Sequence, residues 1–177
     1  EVFVDCGAFD GDSVKEFLDV CGGRYGSIHA FEPDPKNYAA LQASLASVPE
    51  PGKLHLYQSG VGSRSGKVPF SADGTDNAAV GYGNTIIDCV SLDDVLSDDN
   101  VSFVKMDIEG YEPEALTGMC QIMTKNRPVL AISAYHVQDH LWKIPLQIHA
   151  AEPSYKLYLR AHHMRDFFDL ICYAIPS

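Results

Sequence analysis

Two periodicities alternate along this chain. Short apolar runs closed by an acidic residue or a glycine read as buried strands, and stretches with apolar residues every three or four positions read as helices. Val2 to Asp5 is the first run, and Ser13 to Cys21 follows as a helix, with Val14, Phe17, Leu18 and Cys21 on one face and Gly22-Gly23 at its end. Ser27 to Phe31 is the second strand. Asp34-Pro35 opens the next helix, because aspartate is a good N-cap and proline is tolerated at the first helical position. Its apolar face is Tyr38, Leu41, Leu45 and Val48, and Pro49 ends it. Lys53 to Tyr57 alternates polar and apolar residues as a third strand.

The rhythm then changes. Ser59 to Ser63 is a glycine-containing loop. Lys67 to Ser71 and Thr85 to Val90 read as short strands joined by the Gly/Asp/Asn-rich stretch 72–84, a hairpin insertion over residues 64–90 whose tip is expected to be mobile and could act as a lid. Ser91, with Asp94 three positions on, predicts a capped short helix. Val101 to Glu112 is a strand ending in carboxylates, and a single helix over Pro113 to Thr124 buries Leu116, Met119, Ile122 and Met123. Val129 to Ala134 is the fifth strand, with Tyr135-His136 at its end. Residues 136–144 are expected to be irregular, with Pro145 opening a helix through Ala150. Tyr155 to Arg160 and Leu170 to Ile175 are separated by too short a loop for a helical crossover, so they pair antiparallel.

These elements predict an α/β fold: a Rossmann-like, doubly wound, seven-stranded and mostly parallel sheet with an antiparallel C-terminal edge hairpin. A single domain over residues 1–177 is expected. Ligands of such sheets sit at the C-terminal strand ends, where Asp5, Glu32, Asp107 and His136 all fall.

Composition narrows the function. Of 177 residues, 46% are hydrophobic and 21% charged, ordinary values for a globular domain, and no apolar run reaches membrane-spanning length. The formal charge of -11 would repel a phosphate backbone, which argues against a nucleic-acid partner, and no membrane partner is expected. The five cysteines form no C-x-x-C pair, so neither disulfides nor zinc are expected, and a reducing, cytoplasmic location is the simpler reading. Because the chain starts within its first strand and without methionine, it is expected to be a domain of a longer polypeptide.

The stretch Val4-Asp5-Cys6-Gly7-Ala8-Phe9-Asp10-Gly11-Asp12-Ser13 joins the first strand to a helix through two glycines. Glycines allow close backbone approach to a ligand, and a helix N-terminus offers free N–H groups. A plain strand-turn-helix connection has the same form. Glu32, about 20 positions further on where a ribose-binding carboxylate belongs, shifts the reading toward a nucleotide-like ligand.

This turn resembles the class I S-adenosylmethionine-dependent methyltransferases, within them the FkbM-type family. The same holds for Phe31-Glu32-Pro33, Ser91-Leu92-Asp93-Asp94, Val104-Lys105-Met106-Asp107-Ile108-Glu109-Gly110-Tyr111-Glu112, Tyr135-His136 and Tyr158-Leu159-Arg160. The resemblance spans nearly the whole chain and is most specific at Lys-x-Asp-x-Glu-Gly-x-Glu. It implies methyl transfer from S-adenosyl-L-methionine, most often to a hydroxyl oxygen of a small molecule or sugar. By position it places Asp5, Gly7, Ala8, Gly11 and Ser13 around the cofactor's methionine portion and ribose, Glu32 on the ribose hydroxyls and Val61 near the adenine. Asp107 and Glu109 would then lie where donor and acceptor meet. Phe9-Asp10 departs from the more neutral pair of many relatives.

The residues suit that donor chemically. A carboxylate accepts two hydrogen bonds from a vicinal diol. An acidic pocket attracts a sulfonium and an ammonium where it would repel a pyrophosphate, and the turn lacks the full G-x-G-x-x-G, which disfavours NAD. His136 is the candidate general base for an alcohol acceptor, although a loop histidine without catalytic duty fits the same position. Asp107 and Glu109 would orient substrate or cofactor amine. With His136 they could instead hold a divalent cation, but without a compact ligand motif no metal is expected. Glu112 is read as stabilising a helix N-terminus, and His162-His163 as a solvated turn. The alternative to an enzyme is a catalytically silent methyltransferase-like domain that binds cofactor or a partner.

Overall fold

In the computed structural model, residues 1–48, 53–71, 79–80, 83–162 and 169–177 are described. Seven strands form the main sheet: β1 (Val2–Cys6), β2 (Ser27–Phe31), β3 (Leu54–Tyr57), β8 (Phe103–Met106), β9 (Val129–Ser133), β10 (Lys156–Ala161) and β11 (Leu170–Ile175). Their spatial order is β10-β11-β9-β8-β1-β2-β3. All neighbours from β9 to β3 pair parallel, whereas β11 pairs antiparallel with both β9 and β10. The predicted α/β doubly wound sheet is therefore present, and its reversed strand lies inside the sheet, second from the edge.

Helices cover both faces, which is why the central strands are apolar without alternation. Phe3, Ile28 and Ala30 pack with Val14 of α1 (Asp12–Cys21) and with Leu41 and Leu45 of α2 (Pro35–Leu45). Val4, Cys6, Val104 and Met106 face the other way, onto Leu116, Ile122, Ile144 and Ile148. The connection from β1 runs to β2 on one side while β8 lies on the other. The chain thus splits at the C-terminal ends of β1 and β8, and a crevice opens there.

Several local expectations are corrected. Helix α1 starts at Asp12, and α2 ends at Leu45 before Pro49, which lies outside the described residues. The loop at 59–63 contains β4 (Gly60–Val61), which pairs parallel with β7 (Thr85–Val90). Strand β5 (Gly66–Ser71) pairs antiparallel with β7 and with β6 (Ala79–Val80), giving a second, four-stranded sheet. Most of the expected mobile tip at 72–84 lies outside the described residues, as does His163.

The helix expected over 113–124 is two, α4 (Glu112–Thr117) and α5 (Cys120–Lys125). Gly118 between them packs so closely that a Cβ there would lie 2.0 Å from the Gly62 carbonyl oxygen. Its own carbonyl accepts from Asp93 N and Ser91 Oγ, both at 2.9 Å. Ser91 thus stands at the expected N-cap position of α3 (Leu92–Val95) but gives it no side-chain capping bond. Asp93 instead caps α5, its carboxylate accepting from Gln121 N and Ile122 N at 2.9 Å. Helix α6 runs from His140 to Ala151 with Pro145 inside it, rather than opening at Pro145. Only the ladder bond to Leu141, in the first turn, is given up.

Candidate active site

A cleft of about 370 Å³ opens at the C-terminal ends of β1, β2 and β8. The turn after β1 forms its floor. Gly7 takes φ +80°, and Gly7 N and Ala8 N both donate to Phe31 O at 3.0 Å, which ties the turn to β2. A side chain at Gly7 is excluded, since a Cβ would lie 1.9 Å from Asp107 O.

Glu32 shapes the next wall. Its Oε2 accepts from Phe9 N at 3.0 Å and its Oε1 from Asp34 N at 2.8 Å. The carboxylate is thus held by two loops, and Phe9 is kept in a left-handed conformation at φ 48°. Burial raises the Glu32 pKa, and those two N–H groups oppose the rise. The Asn37 side chain is a third hydrogen-bond partner of this carboxylate and lines the cleft beside it.

Of the residues expected around a cofactor, Gly7, Ser13, Glu32, Val61 and Asp107 line the cleft. Asp5, Ala8 and Gly11 do not, and the reason differs for each. Ala8 is buried in the core beneath α1 and α2. Gly11, at φ +88°, is the N-cap of α1, and a Cβ there would press on Leu41, Ser44 and Leu45 of α2. Asp5 is fully buried and lies 3.1 Å from Lys105 Nζ, which also donates to Gly7 O at 2.7 Å. Burial raises the Asp5 pKa, with Lys105 opposing. For Lys105, burial would lower the pKa, but Asp5 and Asp107 hold it up and the ammonium charged. The pair braces the turn from behind.

The far wall is the loop after β8. Asp107 and Glu109 line the cleft, and Tyr135 Oη donates to Asp107 Oδ1 at 3.3 Å. His136 stands behind them, its side chain only 7% exposed. Its Nε2 is 3.2 Å from both Asp107 Oδ1 and Glu109 Oε1, and its Nδ1 is 2.8 Å from Glu112 Oε1. Burial would lower the imidazole pKa, and the three carboxylates outweigh it and push it up to about 11. Asp107 and Glu109 line the cleft and His136 does not, so the two carboxylates stand between the ring and a ligand there. His136, the expected general base, is a buried partner of the acidic wall, one layer behind the cleft.

Glu112 was read from the sequence as a helix-terminus charge, and its carboxylate does more. Fully buried at the start of α4, it accepts from Ile108 N at 3.0 Å and contacts both His136 and His140. Burial would raise its pKa, but the contacts from His136, His140 and Ile108 N–H bring it down to about 2. Sequence spacing does not reveal the roles of Glu112 and Lys105, because Lys105 meets Asp5 on β1 and Glu112 meets His136 after β9 and His140 on α6. Their presence in the dense Lys-x-Asp-x-Glu-Gly-x-Glu run was the available signal.

Charge decides what the cleft can hold. Among the described residues, Asp12, Glu32, Asp107, Glu109 and Asp169 line it against one cation, Lys105, whose ammonium is engaged by Asp5 and the Gly7 carbonyl. Such a wall attracts a positively charged ligand and repels a pyrophosphate. The volume suits a ligand of nucleoside size.

The Methyltransferase FkbM domain model matches residues 5–171. Methyltransferase FkbM from Methylobacillus flagellatus has a similar structure, with a TM-score of 0.83 and 32% identity over 98% of this chain and 43% of that one. The hexuronic acid methyltransferase AglP of Haloferax volcanii is 29% identical over 117 residues, 62% of this chain and 47% of that protein. The S-adenosylhomocysteine-bound methyltransferase PaMTH1 of Podospora anserina shares the fold at a TM-score of 0.54 and 8% identity, covering 100% of this chain and 72% of that one. This chain thus spans less than half the length of the first two relatives.

Proposed function

The chain belongs to the FkbM methyltransferase family, and from that premise we propose that it transfers a methyl group from S-adenosyl-L-methionine to a hydroxyl oxygen of a small molecule or saccharide. The observation that carries the reading is the acidic cleft at the crevice between β1 and β8, with Glu32 held at its wall. When bound, S-adenosylmethionine supplies a methyl group activated by a positively charged sulfur and leaves as the neutral thioether. The name of the Haloferax relative supports a saccharide acceptor, and the bound ligand of the Podospora protein supports this cofactor.

The chain's own groups then take separate duties. Glu32, preorganised by Phe9 N and Asp34 N, accepts hydrogen bonds from the two ribose hydroxyls. Pro33, Gly60 and Val61 offer a flat wall to the adenine. Asp107 and Glu109 attract the cationic end of the cofactor and accept a hydrogen bond from the acceptor hydroxyl, so that its oxygen is aligned for in-line attack. Phe9 and Phe31 are the apolar side chains that keep water from that end of the cleft. The hairpin over residues 64–90, whose Val80 lines the cleft, is proposed as the acceptor-facing insertion of this domain.

Calorimetric titration of S-adenosylhomocysteine tests the reading, with Glu32→Ala as control. Saturable binding that weakens about 10- to 100-fold in the variant is expected from the loss of charged hydrogen bonds. Absence of binding to the folded wild-type protein would overturn the assignment of cofactor. Binding without transfer to any hydroxylated acceptor would favour a silent, cofactor-binding domain.

A further inference from the structure

Asp107, Glu109 and His136 converge on one point of the cleft wall, and we propose that this point binds a hard divalent cation of the Mg²⁺ or Mn²⁺ class. Among the described residues, these three form a group whose ligand atoms all lie within 4.8 Å of one another. Nε2 of His136 is 3.2 Å from Asp107 Oδ1 and 3.2 Å from Glu109 Oε1. Ligand atoms about 2.1 Å from a metal stand about 3.0 Å apart at adjacent corners of an octahedron, close to both spacings measured from Nε2.

The histidine supplies the independent observation. Its side chain is 7% exposed, yet Nε2 makes no aligned hydrogen bond and is aimed between the two carboxylates. The opposite nitrogen, Nδ1, is bound to Glu112 Oε1 at 2.8 Å. Glu112 itself is fixed by Ile108 N and lies beside His140 Nδ1 at 3.3 Å. A carboxylate holding the far nitrogen of an imidazole keeps a proton there, so a cation in the site displaces only the proton on Nε2 and takes that lone pair, the arrangement found behind metal-bound histidines. Two carboxylates and one imidazole select a cation harder than zinc.

The site is open on the side that matters. Asp107 and Glu109 both line the cleft, so a cation on this face keeps its remaining positions toward the cleft for water or an alcohol oxygen. Its catalytic meaning rests on the methyl-transfer reading; its binding does not. A bound alcohol is made more acidic by the cation. Its O–H proton passes to solvent water as the oxygen forms its bond to the methyl carbon of the sulfonium donor, and the carbon–sulfur pair stays on sulfur. The cation thereby supplies the activation that His136 is not placed to give.

Electron paramagnetic resonance of free Mn²⁺ during titration into the protein tests this, with S-adenosylhomocysteine binding measured separately. The expected result is one saturable Mn²⁺ per chain, displaced by excess Mg²⁺, with affinity at least tenfold weaker in Glu109→Gln and in His136→Ala. Asp94→Asn, an exposed acidic position elsewhere, should bind as the wild type does. Glu109→Gln is isosteric at a partly exposed residue, so its fold, checked by circular dichroism, is expected to survive. No saturable Mn²⁺ binding, or binding indifferent to Glu109→Gln, would overturn the site. Mn²⁺ binding without S-adenosylhomocysteine binding would keep the site and remove the methyl-transfer reading; the reverse pattern would remove the site alone.

Discussion

Lys105 Nζ lies 3.1 Å from Asp5 Oδ1, an ion pair between neighbouring strands at the base of the cleft. Lys105→Met leaves a fully buried carboxylate without its cation, and about 3–5 kcal/mol of stability should be lost. In the variant, burial acts on Asp5 unopposed and raises its folded pKa further above the unfolded value. A raised folded pKa contributes stability at low pH that disappears as pH rises through it. The deficit against wild type should therefore be smallest in acid and grow toward neutrality, and Asp5→Asn combined with Lys105→Met should recover much of it. Urea denaturation across a pH series measures both effects. A deficit independent of pH would contradict the assignment.

Gly7 and Gly22 both have positive φ, but only Gly7 faces an obstacle. Gly7→Ala adds a Cβ 1.9 Å from Asp107 O, whereas Gly22→Ala meets nothing within 4 Å. The first should cost at least about 2 kcal/mol and shift the β1 and β8 ends apart. The second should cost about 1 kcal/mol from backbone conformation alone. Thermal melts of the two variants should separate them clearly.

Asp93 caps α5 from outside that helix. Asp93→Ala should destabilise by about 1–2 kcal/mol, because Gln121 N and Ile122 N lose their acceptor. Asp94→Ala removes only an exposed contact to Ser65 Oγ and should stay within about 0.5 kcal/mol of wild type. The capping box read from Ser91 and Asp94 would predict the reverse order.

Glu112→Ala should cost about 3 kcal/mol or more, since Ile108 N–H and two buried imidazoles lose a common partner. Glu112 is not part of the cleft wall, so S-adenosylhomocysteine affinity should change far less than in Glu32→Ala. Chemical denaturation and calorimetry on the same sample would check the two expectations together.

What could be read from the sequence follows the range of the forces involved. Strands β7 and β11 were bounded correctly because a short run and its flanking turns carry the whole signal, and the Asp34 cap because its partners, Lys36 N and Asn37 N, are two and three residues away. The break at Gly118 depends on the backbone of Gly62, and the cap of α5 on Asp93; neither partner is visible locally. The site shows the same division. Glu32, Asp107 and Glu109 were placed at strand ends and do line the cleft. Asp5 is also at a strand end, but its neighbour across the sheet is Lys105, paired in register, and the two form a buried ion pair. His136 was found by position, while its duty depends on Glu112, far along the chain and invisible to spacing.

The reversed strand has a consequence for how the chain folds. Residues of β10 are synthesised before those of β11, yet among the described strands β10 pairs with β11 alone, and β11 is the strand that joins it to β9. On a growing chain β10 must wait, unpaired, until the later strand has slotted in beside β9. Assembly of this side of the sheet is therefore expected to be a late step, dominated by loop closure, that follows pairing of β1, β2 and β3.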